Sequence, residues 1–418
     1  MKTTILFFLF CAFAPFVSAQ YSDPNFPKPQ SGYGSDGTHT VDVISFPNPN
    51  FPDKNIEIYH PADITTKVPT IFYSHAYGGN VSQNIIGLLR FVAMKGYAIV
   101  FVPYQTTGVT VSERYTNLLQ GFQKAARDYS SIIDTTRVGF VGHSFGGGAS
   151  FGNALTCFKN NHWGLNGRFI YALAQWYSFN ITQSDLENFP ENTKLLTEIF
   201  DDDTTNDHRM AIDIFSNISI PASEKDFLLV KSDTINGYIY AADHVLPNTA
   251  AAYNALDYYA YYRLLDALCD YTFNGSAAGK EVALGNGSAT QVSMPTGLKS
   301  LIETDHPQAV YPESKYEFPC SDSQNIRRNY CPVITEVNDL YNAEQLMTVL
   351  PDLSDKKLTI SVPETATEAN LAVFNSQGQQ LLSVQRPTGT SFTVDVPTFS
   401  AGIYLAVCGK YRTKFLLR

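Results

Sequence analysis

The 418 residues exceed what one ordinary hydrophobic core holds, so a large domain with a smaller companion is expected. With 44% apolar and 16% charged residues the chain is globular, and a formal charge of −10 without any Lys/Arg cluster argues against a nucleic-acid partner.

Residues 1–19 read as a cleaved secretory signal: one Lys, an apolar run from Ile5 to Val17, and small residues ending at Ala19. That run is too short for a stable membrane anchor, and no other stretch is long and apolar enough for a membrane helix. Cys11 is a poor lipid-attachment site, because bulky Phe10 precedes it where a processing site has a small residue. Beyond the signal lie Cys157, Cys269, Cys320, Cys331 and Cys408. Cys320 and Cys331 are expected to pair across the short loop of "PCSDSQNIRRNYCP" in an oxidising compartment. Cys157 and Cys269 fall in helical patterns and suit buried free thiols equally well.

After a Pro/Gly-rich start, "TVDVISF" and "NIEIYHP" alternate across a turn and predict a hairpin. The runs "VPTIFYSH", "GYAIVFVPY", "RVGFVGH", "RFIYALAQW", "KLLTEIF" and "DFLLVKS" are nearly all apolar, as strands covered on both faces require. Helical patterns lie between them at "SQNIIGLLRFVAMK", "YTNLLQGFQKAARDYSSII" and the segment after Ser144. The alternation predicts an α/β fold, a doubly wound, mainly parallel sheet. A long helix should follow His244, with Tyr253, Leu256, Ala260, Leu264, Leu268 and Tyr271 on one core-facing side. Residues 273–345 read as loop-rich.

The chemistry concentrates at "VGHSFGGGAS". A strand precedes Ser144 and a helix start follows it, so Ser144 occupies a sharp turn in which side chains at 142 and 146 would collide with their neighbours. A serine nucleophile needs a base oriented by an acid, which in such folds follow it along the chain in the order acid, base. The strand ending in "IFDDDTTND" offers Asp203, with Asp202 as rival. Three adjacent carboxylates lack the spacing of a calcium loop, so no metal is expected. His244 in "AADHVLPN" is the expected base and His306 its competitor. His39, His60, His162 and His208 read as residues of polar loops or helix surfaces, and His75 as part of a structural turn. The Phe145 N–H and that of Tyr77, or else Ala76, in "SHAYGG" are expected to form the oxyanion hole.

On "SHAYGG", "GHSFGGG", "DDDTTND" and "AADHVLPN", residues 40–272 resemble an α/β-hydrolase, similar within that group to the cutinase-like polyester hydrolases and the chlorophyllase and platelet-activating-factor acetylhydrolase families. "IYALAQWY" resembles the polyester-hydrolase segment whose Trp stacks on an aromatic substrate ring, which implies substrate contacts for Trp176, with the Tyr77 ring as a second wall. Core packing of Trp176 is the other reading. Phe145 departs from the Met usual in polyester hydrolases, and residues 273–345 run past their usual end.

From about residue 346, after a "VLPDLSDKK" linker, "KLTISVP", "NLAVFNSQGQQLLSVQ", "SFTVDVP" and "GIYLAVCGKYRTKFLLR" predict a small all-β sandwich. "LAVFNSQGQQLL", "TFSAGIYLAVCG" and "RTKFLLR" resemble the C-terminal sorting domain of the type IX secretion system of Bacteroidetes. That resemblance implies export by the type IX machinery across the outer membrane of a Gram-negative bacterium, to the medium or cell surface, and removal of the domain. A carbohydrate-binding or adhesive module is the alternative.

The expectation is a signal at 1–19, a catalytic domain at 20–345 and a sorting domain at 346–418. The catalytic domain would be a monomeric serine carboxylic-ester hydrolase, requiring no cofactor. Its substrates would be small or polymeric esters, polyethylene terephthalate among them, in a cleft without a large lid. A serine peptidase or amidase, or a non-catalytic surface binding protein, stands as the rival.

Overall fold

A computed structural model describes residues 20–248, 252–332 and the greater part of 347–417, so the expected signal segment lies outside the described residues. The chain divides into two compact units, Met1–Ile334 and Thr335–Arg418.

The first unit is built on a nine-stranded sheet. Its strands are β1 (Val41–Pro47), β2 (Asn55–Pro61), β3 (Val68–Ser74), β4 (Ala98–Phe101), β5 (Ile133–His143), β6 (Gly167–Leu173), β7 (Thr193–Phe200), β8 (Lys225–Val230) and β9 (Ile302–Glu303). They lie side by side as β9-β8-β7-β6-β5-β3-β4-β2-β1. The run from β4 to β8 is parallel throughout, and the antiparallel pairings are confined to the edges, at β2 with β1 and β4 and at β9 with β8. The expected β1–β2 hairpin is present, from Val41 opposite Pro61 to Pro47 opposite Asn55.

Burial explains the apolar texture. Along β3, Ile71 and Tyr73 join one buried cluster and Phe72 the other, because successive side chains leave opposite faces of a strand. Helices α1 (Ile86–Met94) and α6 (Arg263–Asn274) cover the first face. Helices α2 (Val111–Asp128), α3 (Phe145–Asn160) and α5 (Arg209–Asn217) cover the second. The short α4 (Gln183–Glu187) lies between β6 and β7. Helix α2 starts on a capping box, Thr110 with Glu113, and ends at Asp128, so "SSII" turns and enters β5 instead of extending the helix.

The helix after His244 also departs from expectation. Its first part, Leu256–Tyr262, is a π-helix, and only Arg263–Asn274 is α-helical. Looser winding brings Leu256, Asp257, Tyr258, Ala260, Tyr261 and Tyr262 all into the interior, where an α-helical stripe would have buried a single side. Residues 273–345 carry more structure than a loop-rich reading allows: α7 (Ala277–Ala283), α8 (Ala289–Val292), edge strand β9 and the Cys320–Cys331 disulfide. Cys157 and Cys269 are buried free thiols.

In the second unit, β10 (Thr348–Asp352), β11 (Lys357–Ser361) and β14 (Ser391–Asp395) form one antiparallel sheet. Strands β12 (Leu371–Asn375), β13 (Gln380–Val384), β15 (Gly402–Cys408) and β16 (Tyr411–Leu417) form another, ordered β13-β12-β15-β16. Leu358, Ile360, Phe392 and Val394 from the first sheet share a buried cluster with Leu371, Val373, Tyr404 and Ala406 from the second. The start of the supposed linker "VLPDLSDKK", residues 349–352, instead belongs to β10, paired antiparallel with β11, its alternation hidden by Pro351 and Asp352. Among the described residues, no helix is long and apolar enough to cross a membrane.

Candidate active site

Strand β5 delivers Ser144 to the end of the sheet, and α3 begins at the next residue. The turn between them is strained: Ser144 has φ 56° and ψ −119°, a conformation rarely adopted by an L side chain. Two glycines make room for it. A Cβ on Gly146 would lie 1.9 Å from the Ser74 carbonyl oxygen, and one on Gly142 would lie 2.2 Å from that of Gly146. The Ser144 N–H donates to the Leu173 carbonyl at 2.9 Å, and the Ser144 carbonyl accepts from the Trp176 N–H at 2.9 Å. The turn is thereby fastened to the end of β6.

Asp203 stands just beyond β7, fully buried, and His244 follows a short hairpin of Asp233–Ile235 with Tyr238–Tyr240. The His244 ring bridges the other two, with Nδ1 2.9 Å from Asp203 Oδ2 and Nε2 2.9 Å from Ser144 Oγ. An ionised carboxylate only accepts, so Nδ1 carries the imidazole proton and Nε2 is free to accept from the serine hydroxyl. Asp203 Oδ1 accepts the Thr205 and Asn206 backbone N–H groups at 2.7 and 3.1 Å. Burial alone would raise the pKa of Asp203; the His244 hydrogen bond and charge and the Asn206 amide outweigh it and hold the carboxyl below its usual range. Asp202 is exposed and His306 lies on the exposed surface, so neither joins this relay.

The Phe145 N–H opens α3, where no intrahelical carbonyl can receive it. Across from it, the turn carrying Tyr77 is closed by the Gly79 N–H donating to the Ala76 carbonyl at 2.9 Å. His75 holds that turn: Nδ1–H donates to the Ala76 carbonyl at 2.7 Å, and Nε2 accepts the Tyr104 N–H at 3.2 Å. Burial drives its pKa down to about 3, so the ring stays neutral and structural. Tyr77 is 55% exposed, and its hydroxyl donates to the Thr106 carbonyl at 2.8 Å. The Phe145 side chain is buried against Tyr104, Tyr115 and Trp176, the last stacked on it at 5.4 Å between ring centres. Trp176 also meets Tyr177, Phe179 and Phe318, so it is part of an aromatic cluster and only partly buried.

His143, Asn206 and one chain segment escaped the sequence reading, and two histidines lie elsewhere than expected. His143, the variable residue of Gly-x-Ser-x-Gly, donates from Nε2 to the His244 carbonyl at 2.7 Å. Asn206 donates from Nδ2 to Ser144 Oγ at 3.3 Å and to the Ala174 carbonyl at 2.8 Å. His208, expected at a surface, is buried, and its Nε2 meets the Phe200 carbonyl at 3.0 Å; His60 belongs to β2 and not to a loop.

The chain segment follows β9 and clasps the loop bearing Asp203. The Glu317 and Phe318 N–H groups donate to the Thr204 and Thr205 carbonyls at 2.8 Å each, and the Asp207 N–H returns a bond to Phe318 at 3.2 Å. Arg209 pairs with Asp207 and, at 2.8 Å, with Glu313, while the Cys320 N–H donates to Asp207 Oδ2 at 2.9 Å. The Cys320–Cys331 disulfide closes the clasp. No cluster of His, Cys, Asp and Glu that could hold a metal occurs among the described residues.

Compared with known proteins, the chain matches no family model and no curated protein. What the site can do follows from its own atoms: a hydroxyl whose proton can pass to an imidazole, itself oriented by a buried carboxylate, beside backbone donors at a helix start.

Proposed function

We propose that this chain is a secreted serine carboxylic-ester hydrolase with an α/β-hydrolase fold. The observation that carries the reading is the continuous relay of Ser144, His244 and Asp203, with 2.9 Å at each link and the serine on a strained strand-to-helix turn. The chain order, serine then aspartate then histidine, supports the fold assignment. In acylation, His244 Nε2 takes the Ser144 proton as Oγ bonds to the ester carbonyl carbon, and the carbonyl electrons settle on an oxyanion held by the Phe145 and Tyr77 N–H groups. Collapse expels the alcohol, which takes the proton from His244. Water then repeats the sequence and releases the acid. The cluster of Trp176, Phe145 and exposed Tyr77 favours esters with a bulky or aromatic group, polyesters included. The second unit serves type IX export in this reading, supported by its terminal "RTKFLLR" and its paired antiparallel sheets.

The test is covalent labelling by a fluorophosphonate together with turnover of matched p-nitrophenyl esters and p-nitroanilides. Intact protein should label and cleave esters faster than anilides, and Ser144→Ala should neither label nor retain more than roughly a millionth of the turnover. An unlabelled intact protein would refute the reading, and anilides cleaved faster than esters would move it to a peptidase.

A further inference from the structure

Asn206 is buried in the acid loop, and its side chain reaches the nucleophile. Which end of the amide faces Ser144 is fixed by its other bond. A backbone carbonyl only accepts, so the atom 2.8 Å from the Ala174 oxygen must be the nitrogen. That same Nδ2 stands 3.3 Å from Ser144 Oγ and directs its second hydrogen there. Both receiving residues have strained backbones, with φ 56° at Ser144 and 43° at Ala174. The Asn206 backbone N–H meanwhile holds Asp203 Oδ1 at 3.1 Å, so one residue touches both acid and nucleophile.

We infer that Asn206 is a further catalytic residue, whose amide N–H stabilises Ser144 Oγ as a leaving group when the acyl-enzyme breaks down. This role rests on the esterase reading. In the resting enzyme the Oγ hydroxyl donates to His244 and already accepts from Asn206, so as attack begins that bond tightens from an existing hydrogen bond. In the acyl-enzyme Oγ is an ester oxygen and a weak acceptor. During deacylation water loses a proton to His244 and its oxygen bonds to the acyl carbon. The C–Oγ bond then breaks, its electron pair passing to Oγ, which recovers a proton from His244 as the acid departs. Oγ carries similar charge when it attacks and when it leaves, but only in deacylation does the Asn206 hydrogen bond start from a weakly accepting ester oxygen, so the bond tightens most there. A donor whose bond strengthens more in deacylation than in acylation speeds deacylation preferentially.

Pre-steady-state hydrolysis of p-nitrophenyl acetate by full-length protein and by Asn206→Ala and Asn206→Asp tests this. The burst, which counts acylated serines, should slow only about twofold in Asn206→Ala, while steady turnover falls about tenfold, less than for a shorter oxyanion-hole donor. KM should fall in parallel, leaving kcat/KM near its original value, because acyl-enzyme accumulates. Asn206→Asp sets a carboxylate against the departing oxygen and should slow turnover further. Burst amplitude confirms that each variant has a folded site. Burst and turnover falling together would mark Asn206 as merely structural, and unchanged turnover would also overturn the role; either leaves the esterase reading standing. Intact protein with no burst and no labelling would instead remove that reading, and this role with it.

Discussion

His143 adjoins Ser144 in the chain yet faces His244. Burial, with the neighbouring His244 adding to it, pushes its pKa down to about 3, so at neutral pH the ring is uncharged and its Nε2–H is committed to the His244 carbonyl. The bond fixes the backbone from which the His244 imidazole hangs, and in the proposed esterase a misplacement of about 1 Å in such a group can cost a hundredfold in rate. Replacing His143 with Leu keeps the bulk and removes the donor. We expect kcat/KM for p-nitrophenyl esters to fall about tenfold, with labelling slowed but complete; an unchanged kcat/KM would show that the loop holds itself. The sequence exposed Ser144, Asp203 and His244 because each follows an apolar strand in a fixed order. It concealed His143 and Asn206, whose contacts join side chains to atoms about 101 and 62 positions away without any local pattern to betray them.

At the scale of elements, periodicity revealed the strands of the parallel sheet, since burial on both faces leaves an unbroken apolar run. It failed where geometry departs from the regular: at the π-helix, which buries more than one face, and at β10, where Pro351 sits in a strand whose partner lies only a few residues on. The clasp was equally invisible, because its bonds to Thr204 and Thr205 are backbone to backbone across a long separation. Its consequence for the site is measurable. Substituting Ser for both Cys320 and Cys331 opens the loop they close, beside the Cys320 N–H that holds Asp207, while leaving the relay residues in place. Turnover should drop about tenfold, by the same positional argument, and thermal midpoint should fall, since removing a native disulfide costs about 2–5 kcal/mol in small domains. Full turnover at unchanged pH profile would show that hydrogen bonds alone hold the acid loop.

Across the whole first unit, three buried histidines share one electrostatic character. His75 and His143 are depressed to about 3 and His208 to about 4, in each case chiefly by burial, from an ordinary value of 6.5. Such groups are neutral when folded and take up protons once unfolded, so their contribution is complete above about pH 6.5 and is lost as pH falls towards 4. Each costs about 1.4 kcal/mol per pH unit in that window, and three together about 4 kcal/mol. Buried carboxyls act with the opposite sign in this window, because burial raises Glu198 to about 8, Asp257 and Glu303 to about 7 and Asp226 to about 6. The two sets offset one another, so the histidine share is read by difference: between pH 6.5 and 5 His143→Leu should change the slope of stability against pH by about 1.4 kcal/mol per unit relative to the intact protein. An unchanged slope in His143→Leu would mean that this ring opens to water.

The disulfide carries one more implication. Cystines form where thiols are oxidised and seldom in the reducing interior where a chain is made. A copy that completes its fold too early would hold its acid loop with fewer restraints than one that has crossed into an oxidising space. The loop bearing Asp203 thus gains its full set of restraints only where cystines form.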